Sequence, residues 1–573
     1  MANIQYGSPE ELAAKLHSDS RTAISAADMM MAVETAPPSG VIVTMYDKVY
    51  RSRGVVGNYT NVGVNFPRHL VETGTLTLDG ADPMAEAALL CHDEVVPITV
   101  EVGNLLWSGR IKVAKDRFGW ANEADSVICE LEGDRAWLMK ILAWPSFLMP
   151  IQLQFPPRGV AIGTADSVIR WLIKTQTFRL QSGYLDIVNN ILSLNLDWRS
   201  WMGAFMMQPD ILGDNNAPDL GDLMRMLRNP IYVKEGNAFT DTTPLISANW
   251  RMDKVYDIID QIVKDNGLTV TVSLWRVGDP QPDENMLFPL TVPTLVVDVK
   301  DHMGIVGPTG TFFDGILRTL VDLQDSVFGE ITKPFLNPQG LAVPDGFNIA
   351  PTLGLNWIEP WVIFNADHPQ GGVWGEMDHH HPLARRVVIG GRSPQWMNKL
   401  MNATWSWLLD MVLIVVGLTG VPSNLFEGMF NNVALAFALA DNMDRWIKAG
   451  PYCYPEYFAS LNSSPYNVDG IFAMKREMFN TRGYVSGIVH FDDGSPYKVG
   501  RDLHVGALAS VIRRGKVYTD FIENIAIEDD RTKLSVDVQI GDGQAEEPTS
   551  VKAYRNIVKF QEALNIITLS TWE

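Results

Sequence analysis

Residues 97–113 read PITVEVGNLLWSGRIKV. Ile98, Val100 and Val102 alternate with Thr99 and Glu101, the period-two pattern of a strand with one buried face. Gly103-Asn104 supplies a two-residue turn, after which Trp107, Gly109, Ile111 and Val113 restore the alternation. The stretch spells a β-hairpin. VICELEGDRAWLMKIL, residues 127–142, adds another strand and a short helix, so residues 41–150 read as a small barrel-like or sandwich β domain.

Working outward, residues 1–40 read as a helical extension, with Ser8 as N-cap, Pro9 at the first helical position and Glu11 completing a capping box. No basic region precedes an apolar core there, so no signal peptide is expected. Residues 151–335 mix helix and strand. RMDKVYDIIDQIVKDNG (251–267) puts Met252, Val255, Ile258, Ile259, Ile262 and Val263 on one helical face and stops at Asn266-Gly267. LTVTVSLW then pairs with TLVVDVK. Residues 336–482 are expected to be loop-rich around an apolar helical hairpin.

Hairpins return in residues 483–545, in GYVSGIVHFDDGSPYKVG and SVIRRGKVYTDF, and in the alternating strand LSVDVQI. A helix over TSVKAYRNIVKFQEALN leads residues 546–573. The expected fold class is α+β and multidomain: two small β-barrel-like domains, an α/β insertion and an apolar helical hairpin.

That hairpin is read from Trp407–Ala440. Its first arm carries Trp405, Trp407, Leu408, Val412, Ile414 and Val415; its second carries Phe426, Phe430, Leu435 and Phe437 and ends at Trp446. Asp410 and Glu427 bound the uncharged run and Gly420-Val421-Pro422 interrupts it, leaving it short of the ~20 apolar residues a membrane span needs. Its two readings are burial in a core and contact with a membrane.

The chain has 573 residues, 46 Lys and Arg against 67 Asp and Glu, and a net charge of -21. That balance argues against an extended phosphate-binding surface. Cys91, Cys129 and Cys453 are far apart and form no CxxC pair. EMDHHHPLARR gathers Glu376, Asp378, His379, His380 and His381, ligand types suited to zinc, but consecutive residues of an extended chain point in alternating directions. GIVGPTGTFFDG lacks the lysine of a phosphate loop, and Cys453 stands among aromatics. No catalytic, cofactor-binding or metal residue is assigned.

The order of FPRHLVETGTLTLDGADPMAEAALL, PITVEVGNLLWSGRIKV and ICELEGDRAWL resembles the opening domain of baseplate hub proteins, the tail-associated or minor tail proteins of long-tailed phages. The shared features are Arg68 before a strand led by Gly74, the pair Asp82-Pro83, and Trp107 with Gly109 in a W-x-G strand. VVIGGRSPQWMN, FGEITKPF and GRDLHVGALASVIRRG resemble mycobacteriophage minor tail proteins in particular. The resemblance implies a structural, non-enzymatic virion protein made in the host cytoplasm and sited at the distal end of the tail. It implies a homotrimer in which two similar β domains per subunit match a six-fold tube to a three-fold tip. Implied partners are a distal tail protein, a tape measure protein, other tail-tip proteins, DNA in transit and a host membrane. The rival reading is a tail-borne cell-wall hydrolase with its metal at Glu376–His381.

Overall fold

The computed structural model describes residues 40–119, 124–181, 189, 230–390, 437–460, 468–541 and 547–570, save for 238, 285, 287–288, 341–342, 344–346, 359, 369–371 and 493–495. The first β region holds β1 (Val41–Tyr46), β2 (Ser52–Val55), β3 (Tyr59–Pro67), β4 (Thr73–Asp79), α1 (Pro83–Leu89), β5 (Pro97–Val102), β6 (Leu105–Arg117), β7 (Ser126–Gly133) and α2 (Ala136–Lys140). The middle module holds β8 (Leu142–Ala143), β9 (Gly159–Thr164), α3 (Ala165–Gln181), β10 (Ile231–Val233), β11 (Leu245–Trp250), β12 (Asp253–Lys254), α4 (Val255–Asn266), β13 (Leu268–Trp275), β14 (Thr294–Asp301), β15 (Ile305–Val306) and α5 (Phe312–Leu336). Then come β16 (Asn356–Trp357), β17 (Val362–Asn365), β18 (Val373–His380), β19 (Arg386–Gly390), β20 (Phe437–Asp441), α6 (Met443–Ala449), β21 (Glu456–Ser460) and α7 (Val468–Asn480). β22 (Tyr484–Asp492), β23 (Leu508–Arg513), β24 (Lys516–Asp529), β25 (Leu534–Ile540) and α8 (Thr549–Ser570) complete the described chain.

The opening hairpin is β5–β6, in register from Pro97↔Arg110 to Val102↔Leu105. Gly103 sits at φ 57 in its turn, the left-handed backbone that a tight two-residue hairpin requires. β3, β4, β7, β6, β5, β1 and β2 follow one another antiparallel. β24 continues this order on the other side, pairing antiparallel with β3 from Asn524↔Pro67 to Asp529↔Val62. The two β regions expected from sequence therefore share one 13-stranded sheet, whose main path runs from β18 through β22, β25, β24 and β3 to β2. They also share one core, in which Val43, Leu76, Ile98 and Trp107 join Phe491, Ile525, Val536 and Val538. No closed barrel is seen among the described residues; the sheet is open, with β18 and β2 at its ends.

In the middle module α4 ends at Gly267, in left-handed conformation, as the Asn-Gly stop predicts. Val255, Ile259, Ile262 and Val263 are buried. Met252 does not share their helical face: it precedes the helix with φ 62, and β12 intervenes. β13 and β14 pair antiparallel along eight positions, from Leu268↔Asp301 to Trp275↔Thr294. α8 docks on this module: Arg555 Nη1 donates to both carboxylate oxygens of Asp265, at 2.9 and 2.7 Å.

Between 336 and 482 the expectation of loops fails at β17–β21. VWGEMDHH has no apolar alternation because both its faces are largely open; pairing with β22, from Val373↔Phe491 to His380↔Tyr484, makes it a strand. The expected second helical arm is also corrected. Phe437–Asp441 is strand, held by β19. The helix begins only after Asn442, whose side chain accepts from Arg445 N–H at 2.9 Å and caps it. Intrinsic helix preference in FALAD yields there to a ready partner strand. GYVSGIVHFDDGSPYKVG does not fold back on itself as a hairpin either. β22 lies between β18 and β25, while Tyr497 instead exchanges hydrogen bonds with the Ile363 backbone.

Candidate functional site

The segment between β3 and β4 makes a corner where the two β regions meet. Arg68, expected from the resemblance, is 2% exposed. Its Nη1 donates to Glu523 Oε1 at 2.6 Å, its guanidinium carbon lies 3.8 Å from the centre of the Phe521 ring, and its backbone N–H donates to Glu523 O at 2.8 Å. Glu523 is the position that the β24 register skips between Ile522 and Asn524. A bulge re-aims a side chain out of strict alternation, and here it turns a carboxylate inward to meet the arginine.

Arg135 holds the same corner from below. Its Nη1 donates to the carbonyls of Pro67, Arg68 and Leu70 at 3.0, 2.9 and 2.8 Å, and its Nε lies 3.0 Å from Glu72 Oε1. The Tyr256 hydroxyl of α4 donates to His69 O, so the middle module is tied in as well. Burial pushes the His69 imidazole down to about 2, with Arg68 adding to the effect. Asp134, which precedes Arg135 in the chain, is fully enclosed: burial raises its carboxyl to about 6, against the pull of Ser108 and Arg110. Arg135, Asp134, Glu72 and Glu523 were not singled out from sequence. The first two lie inside the quoted ICELEGDRAWL, but nothing local to Glu523 points to a residue more than four hundred positions away.

The other residues of the motif are structural. Asp82 caps α1, its Oδ1 accepting from Met84 N–H at 2.8 Å, and Pro83 opens the helix. Gly74 faces β3 so closely that a Cβ would lie 2.8 Å from Gly63 O. Trp107 is fully buried, and a Cβ on Gly109 would lie 2.6 Å from its ring and collide with the Glu132 carbonyl. The tryptophan needs that glycine.

On the face opposite the shared core, registers align Glu376 and Asp378 of β18, Ser486 and His490 of β22, Asp537 and Gln539 of β25, and Glu528 of β24. Beyond β3 and β4 the row continues with Glu130 and Glu132 of β7. Lys112 Nζ donates to Glu132 at 2.9 Å, Lys115 pairs with Glu130, and His490 pairs with Asp537. The result is a broad polar face with more acids than bases.

The histidine cluster does not converge. His380 stacks on Tyr484 at 4.2 Å, His379 meets Tyr518 edge-on and His381 contacts Tyr454, so the three rings have separate neighbours. Among the described residues no group of three or more His, Cys, Asp or Glu is placed to hold a metal. Cys91, Cys129 and Cys453 are free thiols, and burial pushes Cys129 up to about 12.

Of the apolar hairpin, Trp405, Trp407, Leu408, Val412, Ile414, Val415, Phe426, Phe430 and Leu435 lie outside the described residues. Phe437 and Trp446 are described and neither is buried. Phe437 stands on the three-stranded sheet β20–β19–β21 at 55% exposure. Its ring is 6.1 Å from that of Phe458, itself 56% exposed on β21. Trp446, on α6, stacks under Arg385 at 4.6 Å. Among the described residues no helix is long and apolar enough to cross a membrane.

Several solved structures match over most of the chain. The 43 kDa tail protein of prophage MuSo2 from Shewanella oneidensis is 7% identical, with 89% of this chain and 99% of that one covered and a TM-score of 0.38. Prophage tail protein gp18 from Listeria monocytogenes EGD-e is 8% identical, covering 91% and 99%, with a TM-score of 0.34. The phage P2 baseplate in its activated conformation with Ca gives 10%, 88% and 100%, and 0.31. No curated protein matches in sequence. The family model of the Siphovirus ReqiPepy6 Gp37-like protein matches residues 42–542. That match bears out the resemblance at the level of the family, and the chain belongs to the Siphovirus ReqiPepy6 Gp37-like family.

Proposed function

We propose that the protein is the homotrimeric hub at the distal tip of the tail, closing the tube and then opening as a conduit for DNA. The observation that carries this reading is the single open sheet spanning both β regions, with strand edges at β18 and β2. An exposed edge is a template for another strand, and a heterologous edge contact repeated by rotation closes a ring. Three copies would supply six β regions around one axis. The polar face, rich in Glu376, Asp378, Glu528 and Asp537, would then line the bore. Carboxylates there repel phosphates, so DNA passes without sticking. A distal tail protein above and a tape measure protein in the bore are the partners this position requires.

No observation favours the hydrolase reading, since the Glu376–His381 residues go to different neighbours. Light scattering on the purified chain at micromolar concentration tests the hub: a three-copy mass is expected, and a stable monomer overturns it. A zymogram on host cell wall tests the rival, and no clearing is expected.

A further inference from the structure

We propose that the stacked pair His302–His504 is a proton-operated latch between the middle module and the sheet: neutral, the two rings let module and sheet lie together, and charged, they drive them apart. The proposal rests on the hub reading only for its use, the passage from a closed tube to an open one.

The latch is built where two distant segments meet. His302 directly follows β14 of the middle module, and His504 lies on the connection between β22 and β23 of the second β region. Their ring centres are 6.0 Å apart and their planes 7° from parallel. The connection is pressed closely on both sides. Gly500, at φ 79, faces Leu105 of β6, whose backbone N would lie 3.0 Å from a Cβ. Gly506, at φ 81, faces Thr269 of β13, whose Oγ1 would lie 1.9 Å from a Cβ. Glycine permits both approaches. Next to His302, Met303 is fully buried in a core that also takes Leu508 and Phe521 of the second β region. A disturbance at the two rings therefore reaches the packing that joins the module to the sheet.

Charge decides whether the rings hold. Imidazole is the side chain whose charge ordinarily changes between about pH 5 and 8. Burial lowers His302 to about 4, with His504 and Lys300 adding to the effect against the pull of Asp301 and Asp298. Burial and Lys300 lower His504 as well, against the Arg501 backbone and Asp502. The carboxylates around the pair are already engaged. Asp301 accepts from Arg318 at 3.0 Å, Asp298 from Arg170 and Lys234 at 3.2 and 3.3 Å, and Asp502 from Arg501 at 2.9 and 3.0 Å. Each would meet a new imidazolium only by giving up the cation it holds, so two charged rings at this separation repel. Lys498, on the same connection, adds positive charge. Between about 4 and the ordinary 6.5, separated rings bind protons that the latched pair does not. The latch is thus closed above that window and weakens as pH falls through it.

The test is hydrogen exchange of the full chain at pH 7.5 and pH 5, corrected for intrinsic rates, comparing wild type with a His302→Gln, His504→Gln double variant. In wild type, protection of residues 268–275 and 498–510 should fall roughly tenfold or more at the lower pH, the scale set by uptake of one proton on opening. Protection of β4 and β7 should not change. The double variant should keep the protection of both segments at pH 5, and His504→Arg, charged at either pH, should lose it already at pH 7.5. Wild type with equal protection at the two pH values overturns the proposal, as does a double variant that responds to acid like wild type. Equal loss in β4 and β7 overturns it as well, by showing general loosening. A double variant already unprotected at pH 7.5 would show that the rings hold by packing, not by charge, and again overturns it. Failure of the hub reading is distinct: it appears as a monomeric wild-type mass, whatever the exchange shows.

Discussion

The first β region and the second reach the same sheet by different routes. From β3 to β7 the chain builds largely from close neighbours: β3 pairs β4 and β5 pairs β6, each across a short connection. In the second region β18 finds β22 about a hundred residues later, and β17 runs parallel to β23 after a longer detour. Loop closure taxes such distant pairing before its contacts reward it. The second region carries more of that cost, although β23–β24 and β24–β25 are local hairpins, and it joins the first along the β24–β3 ladder, which runs into the Arg68–Glu523 corner.

Breaking that corner should give the largest effect. Arg68→Ala takes the guanidinium away from the buried Glu523 carboxylate, and a loss of about 3–5 kcal/mol is expected, read from the denaturant midpoint. Arg68→Met with Glu523→Leu removes both charges and should recover most of it. If the single and double variants are equally unstable, packing rather than charge holds the regions together. Gly109→Ala probes the first region alone: its Cβ meets Trp107 and the β7 backbone, and overpacking there should cost about 1–3 kcal/mol. Loss of the first region's hairpin protection in hydrogen exchange, with β22–β25 protection falling too, would show that the second depends on it.

A smaller effect comes from Asp134. Its folded carboxyl, raised to about 6 from the ordinary 3.8, keeps a proton that the unfolded chain has released. Between those values the folded state binds more protons, so this group makes stability fall as pH rises from about 4 to about 6. Asp134→Asn should flatten that part of the stability–pH curve, measured by urea titration at each pH. The smallest change is expected from Lys112→Ala on the polar face. Its ion pair with Glu132 is exposed on the lysine side, and exposed pairs contribute little; no measurable shift in midpoint is expected.

How far the sequence could be read followed the range of the interaction. The β5–β6 hairpin, the Asn266-Gly267 helix stop and the β23–β24 turn at Arg514-Gly515, both at positive φ, all depend on residues a few positions apart. Glycine's conformational freedom and apolar alternation were sufficient there. β18 escaped because an edge strand open on both faces carries no alternation. β20 was read as helix because FALAD alone prefers one. The Arg68 position was found through the resemblance, but its role was not, because its partner depends on a bulge in a strand 455 residues away.

Local backbone chemistry thus settled which segments turn, alternate or cap, and the excess of acids was legible at once from composition. The tertiary structure alone decided that two β regions are one sheet, that a skipped register turns Glu523 inward, and that Phe437 faces out rather than in. The physical reason is that each of these turns on which distant strand arrives alongside. A side chain is buried or exposed, paired or unpaired, by the neighbour that strand brings, and no short window of sequence contains that neighbour.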